Sequence, residues 1–122
     1  MEHEELTGTI IGCAIRVHSK LGPGYFESVY EKALLIELRK AEVDAVNQVP
    51  LTVYYDDEIV GEYVADLVVA DTIVCELKAV RRLAEAHEVQ LVNNLNAIGK
   101  RVGLLLNFGT PRLEYKRKLD RL

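Results

Sequence analysis

The hydrophobic period of this chain changes at residue 49, and that change limits the fold more than any other feature. Before it, Leu6, Ile10, Cys13, Val17 and Leu21 recur at helical spacing, in a stripe widened by Ile11, Ala14 and Ile15. Gly22-Pro23-Gly24 stops this helix and turns the chain. A second helix is expected over about residues 26–42, with Phe26, Val29, Tyr30, Ala33, Leu34, Leu38 and Ala41 on one face. From residue 49 the pattern reads as strands over 49–55, 59–69 and 72–79. Pro50 suits a strand start or an edge, and Asp56-Asp57-Glu58 forms a polar turn. Helical spacing returns over 83–99, where Leu91, Leu95 and Ile98 share a face and Gly99 stands as a stop. The continuous apolar run over 101–108 reads as a buried strand, and 111–115 as one more short strand before a basic tail. This order implies a single α/β domain, a mixed β-sheet flanked by helices.

A chain of 122 residues, 49% of them hydrophobic, buries enough surface for a core without metal or disulfide staples. Cys13 and Cys75 make neither a disulfide framework nor a Cys-rich metal site. No apolar run approaches the roughly 20 residues of a membrane-spanning helix, and the acidic start lacks the basic flank of a signal peptide. A cytoplasmic protein with no membrane partner is the expectation.

The net charge of −4 counts against broad affinity for nucleic acid. Yet the charge is uneven, with −6 over residues 1–61 and +2 over residues 62–122. Basic clusters stand at Arg81-Arg82, at Lys100-Arg101, and at Lys116-Arg117-Lys118 with Arg121. Ordinary solvated surface is their usual role. Bordering a site, they would form a phosphate-contacting rim.

Polar residues inside the apolar strands carry the chemistry. Asp66 interrupts a run of valines, and Glu76 and Lys78 share one face of the following strand. A three-residue hairpin loop over 70–72 pairs Val69 with Ile73 and sets Asp66 across from Glu76. A two-residue loop puts the carboxylates on opposite faces. Facing each other beside a lysine, they suit a hard divalent cation, Mg²⁺ foremost, which takes oxygen ligands and keeps several waters. Lys78 would then orient the attacking water or stabilise charge in the transition state. The structural alternative is an ion-pair network on a solvated sheet edge.

The helices add polar candidates. Glu27, Tyr30 and Glu31 lie on neighbouring parts of one face, with Glu27 also favoured in a first turn by the helix dipole. His87, Gln90 and Asn94 form a stripe on the third helix that reads equally as solvent-facing surface. His87 has no second histidine at a compact ligand spacing.

In this context the chain resembles the small GxxExxY proteins, themselves similar to the PD-(D/E)XK, or restriction-endonuclease-like, nuclease superfamily. The naming motif is Gly24-Tyr-Phe-Glu27-Ser-Val-Tyr30, and the superfamily core corresponds to Asp66, then Glu76-Leu-Lys78, then Gln90 on a helix. Val102-Gly-Leu-Leu-Leu-Asn-Phe-Gly109 is similar to the family's later strand, and the resemblance runs from about Thr9 to Lys118. It implies a restriction-endonuclease-like fold and a metal-dependent nuclease acting on nucleic acid, DNA first, with Mg²⁺ or Mn²⁺. By that resemblance Glu27, Asp66 and Glu76 are acidic metal-site residues and Lys78 is the catalytic lysine. Gln90 orients its neighbours and Tyr30 supports the site. Asn94 departs from a position that is often aromatic in the family. Two other classes remain open: a non-catalytic nucleic-acid-binding or regulatory module, and a structural or oligomeric interaction protein. The small size leaves room for a homodimer.

Overall fold

A computed structural model describes residues 3–120. Helix α1 (Glu4–Leu21) ends where Gly22 takes a left-handed φ of 68° and donates its N–H to His18 O at 2.8 Å. Helix α2 (Glu27–Lys40) follows, then strands β1 (Ala45–Tyr55), β2 (Glu58–Val69) and β3 (Ile73–Lys78). Helix α3 (Glu85–Ile98), β4 (Val102–Asn107) and β5 (Glu114–Leu119) complete the chain. The five strands lie in sequence order, antiparallel except for the β3–β4 pair, which is parallel because α3 crosses between them. The mixed sheet flanked by helices matches the expected architecture.

Two cores result. Ile10, Cys13 and Val17 of α1 and Tyr30, Leu34 and Leu38 of α2 pack on Leu67, Ile73, Cys75, Leu104 and Phe108. The smaller core under α3 joins Leu91 and Leu95 to Leu51, Ala65, Val68, Val74 and Leu105. Alternation along β3 therefore turns Cys75 and Leu77 towards α1 and α2, and Glu76 and Lys78 towards α3.

Several boundaries differ from the periodicity. Strand β1 starts four residues early, because Ala45, Val46 and Asn47 pair with Val69, Val68 and Leu67. The polar pair Asn47-Gln48 hides this start. Gln48 has a φ of 53°, so both side chains reach Glu31 of α2, at 3.1 Å from Asn47 and 2.7 Å from Gln48. Alternation breaks there: Ala45 packs in the larger core, whereas Val49 and Leu51 pack under α3. The last strand is the basic stretch itself rather than residues 111–115. Its cations suit a solvent-facing edge. Helix α2 is also shorter at its C-terminal end than the expected 42.

From Pro50 and its partner Val64 outward the β1–β2 pair extends as an arm, with Tyr54, Tyr55, Ile59, Val60, Tyr63 and Val64 all exposed. Its turn puts Asp56 and Asp57 at φ 50° and 65°, the left-handed pair that a tight hairpin requires.

Candidate active site

The β2–β3 hairpin pairs Val69 with Ile73 and Leu67 with Cys75. This is the register of the three-residue loop, and carried one step further it sets Asp66 against Glu76. Asp66 Oδ2 accepts the Leu77 N–H at 2.7 Å, which pins the carboxylate over β3. β3 is the middle strand of the sheet and Glu76 is buried, so the solvated-edge alternative does not describe this pair.

Glu76 pays for its position electrostatically. Burial, then the charge of Asp66, push its carboxyl up to about 8, against the opposing pull of the Asn94 hydrogen bond and the Lys78 charge. Asn94 Nδ2 donates to Glu76 Oε1 at 3.1 Å. Asn94 is thus a direct partner of the carboxylate. It is also buried, unlike the solvent-facing stripe that the helix spacing allowed.

Glu27 comes from the other side of the sheet. Its Oε2 accepts the Ala79 N–H at 3.3 Å, at the exit of β3 and next to Lys78. Tyr30 fixes the turn that delivers it: its hydroxyl donates to Gly22 O at 2.6 Å and accepts the Tyr25 N–H at 3.2 Å. The ring is fully buried and stacked on Phe108, with centroids 4.6 Å apart and planes within 12°. Among the described residues, no three His, Cys, Asp or Glu side chains converge as a metal-holding group.

The other expected site residues divide. Gln90 lines a groove beside Asn94, between α3 and the β1–β2 arm. His87 caps α3 instead, its Nδ1 accepting the Ala84 N–H at 3.0 Å. Arg81 and Arg82 are exposed in the turn that follows Lys78. Lys116 lies level with Glu76 but two strands away, through Leu105, and pairs with Glu88 at 3.6 Å. Arg117 lies next to it on β5, and Arg121 falls outside the described residues.

Asn107 and Gly109 were not among the sequence candidates. Asn107 is the β4 partner of Lys78 and is fully buried. Its Oδ1 accepts the Val80 and Gly109 N–H groups, both at 3.0 Å, while its Nδ2 donates to Val80 O at 2.9 Å and to Glu114 Oε1 at 3.1 Å. A side chain at Gly109 would put Cβ 2.4 Å from Val80 N and O. Together they clamp the chain as it leaves Lys78. The available signal was the same as for Asp66: a polar residue interrupting an apolar strand.

No curated protein matches the chain. The solved structure of SSO0001 is similar to it, with a TM-score of 0.62 and 20% identity over 79% of this chain. The match spans about half of that structure, 51% of its length, and the likeness is one of fold. The family model of the PD-(D/E)XK nuclease superfamily matches residues 4–118, which contain Asp66, Glu76, Lys78 and the strands that assemble them. The chain belongs to the PD-(D/E)XK nuclease superfamily.

Proposed function

We propose that this protein is a metal-dependent nuclease that hydrolyses phosphodiester bonds in DNA or another nucleic acid. The observation that supports this best is the Asp66–Glu76 pair, with Glu76 buried and Asp66 half-buried, set on the central strands beside Lys78. Two adjoining carboxylates in a partly dry site repel each other, and Asn94 compensates only one oxygen. A hard divalent cation is the natural counter-charge for such an oxygen-only set. Asp66 and Glu76 would hold Mg²⁺ or Mn²⁺, with Glu27 contributing directly or through water. A cation held there would lower the pKa of an attacking water and stabilise charge on a phosphoryl oxygen.

The chain's own residues do the rest. Lys78 presents its ammonium on the same face as Glu76 to orient the water and to stabilise charge developing on the phosphate. Asn94 holds the Glu76 carboxylate in place, and the Leu77 N–H does the same for Asp66. Gln90, on the turn of α3 before Asn94, orients its neighbours at the site. Arg81 and Arg82 are placed to meet phosphates next to the cleaved bond.

Membership of the GxxExxY group belongs to the same proposal. In its support, Tyr30 ties the Gly22–Tyr25 turn that presents Glu27, a physical reason for that motif's spacing. The reading also carries a cytoplasmic location. A homodimer would enlarge the surface offered to substrate, and light scattering measures it. No helix among the described residues is long and apolar enough to cross a membrane.

The test is incubation with single- and double-stranded DNA and RNA in Mg²⁺ or Mn²⁺. Cleavage that disappears in Lys78→Ala supports the proposal. Equal activity in the variant rejects the mechanism, and salt-sensitive binding without cleavage in any metal would make the protein a non-catalytic binding module.

A further inference from the structure

A groove of about 1050 Å³ runs between α3 and the β1–β2 arm and reaches the site through Asn94. That is at the upper end of the roughly 300–1,000 Å³ of pockets that enclose one drug-sized ligand. Its walls combine aliphatic surface, Val53 and Val89 among it, with Tyr54 and Tyr63 on the arm and the amides of Gln90 and Asn93 on the helix. Glu85 is its one charged lining residue, and no lysine or arginine lines it. Both tyrosines are more than half exposed. Gly61 leaves space for the Tyr63 ring, since a Cβ there would stand 3.0 Å from Tyr63 Cε2.

This chemistry selects among forms of nucleic acid. A duplex shows its phosphates to a protein and is gripped mainly by cations. The nearby Lys116 and Lys118 are engaged by Glu88, at 3.6 and 3.0 Å. Unpaired bases instead offer faces that stack on aromatic rings and edges that hydrogen-bond to amides. The cations that remain exposed beside the site, Arg81 and Arg82, stand at the exit of β3, where a phosphate at Lys78 would lie. At the same exit, Tyr25 and the strongly exposed Phe26 flank Glu27.

We infer that this groove binds an unpaired nucleic-acid strand, with bases stacked on Tyr54 and Tyr63 and contacted by Gln90 and Asn93, so that the backbone continues to Lys78. The inference names the substrate form of the proposed nuclease and rests on that reading for the ligand's class. It can be tested apart from catalysis. Fluorescence anisotropy in excess chelator would compare a labelled oligothymidylate, an oligouridylate and a duplex of equal length. At least one single strand binds about tenfold or more tightly than the duplex. Tyr63→Ala weakens that binding about tenfold, Tyr63→Phe preserves it, and Gly61→Val weakens it by displacing the ring. Equal or tighter binding of the duplex overturns the inference, as does unchanged strand binding in Tyr63→Ala. So does a concentration-dependent dimer that Tyr63→Ala dissociates, which would give the groove to a second copy. Strand binding without cleavage by any metal would sink the nuclease reading alone. Cleavage confined to duplex would sink only the groove's assignment.

Discussion

Two buried glutamates show how differently the two sides of this molecule treat charge. Glu37, at the seam of α1 and α2, accepts from Arg16 Nε at 3.1 Å and Lys40 Nζ at 3.3 Å, with Lys20 at 3.8 Å. The Arg16 hydrogen bond, with the lysines beside it, holds its carboxyl below the usual range. Glu76, on the α3 side, has Asp66 as its charged neighbour and is pushed up to about 8. One side satisfies its charge with partners already in the chain. The other keeps two carboxylates together with insufficient counter-charge, which the proposed cation would supply.

The sharpest way to break this contrast is at Lys78. Lys78→Ala should lower cleavage by about 100-fold or more while leaving the melting temperature nearly unchanged, because the side chain is only partly buried and serves the site rather than the core. A matched change under the opposite face, Leu34→Ala, should do the reverse. Leu34 is fully buried in the larger core, so the cavity should cost about 3 kcal/mol in denaturant unfolding, with activity per folded molecule retained. If Leu34→Ala lowered activity per folded molecule as much as Lys78→Ala, the two faces would not be separable.

Glu76→Gln tests the repulsion itself. The folded protein holds the Glu76 proton up to about pH 8, whereas an unfolded glutamate releases it near 4.5. The native state therefore binds more protons between these values, and stability falls as pH rises through that window. Replacing the carboxylate should stabilise the protein by about 2 kcal/mol at pH 8 to 9, with the gain vanishing below about pH 4.5. It should also abolish cleavage, as when a site keeps a destabilising group for function. Mg²⁺ should raise the melting temperature of the unmodified protein at pH 8 and leave Glu76→Gln unmoved. A metal shift that survived the substitution would place the ion elsewhere.

The smallest effect is expected at Glu37. Arg16→Met should lower the melting temperature slightly at neutral pH. A carboxyl held low stabilises above its unfolded value, and that contribution is lost as pH falls through the folded value. The difference between Arg16→Met and the unmodified protein should therefore close in acid, as for Glu76→Gln, but it is a loss of stability at neutral pH where Glu76→Gln is a gain.

Much of this was legible in the sequence. The three helices followed from their apolar stripes, β4 from its unbroken apolar run, and Asp66, Glu76 and Lys78 from being polar in strand segments that are otherwise apolar. The hairpin register was one of two readings, because a one-residue change of loop length flips every side chain and local sequence does not choose between them. The early start of β1 was hidden because Asn47 and Gln48 look like loop residues, and only their bonds to Glu31 give them a place in a strand. Helical spacing put Asn94 on a polar stripe. The burial that makes it a Glu76 partner depends on how α3 sits over the sheet. Asn107 carried the same signal as Asp66, but its four hydrogen bonds join segments that meet only in the folded chain.

The sequence by itself determined the element types and which residues would be polar inside a dry sheet, because hydrophobic period and burial are tied to the geometry of helix and strand. Only the tertiary structure decided that Asp66 and Glu76 share a face, that Glu27 reaches the exit of β3 from the opposite helical layer, and that a groove of tyrosines and amides opens beside them. Those are contacts across strands and layers, set by register and by the seating of helices on the sheet, and no local pattern encodes either one.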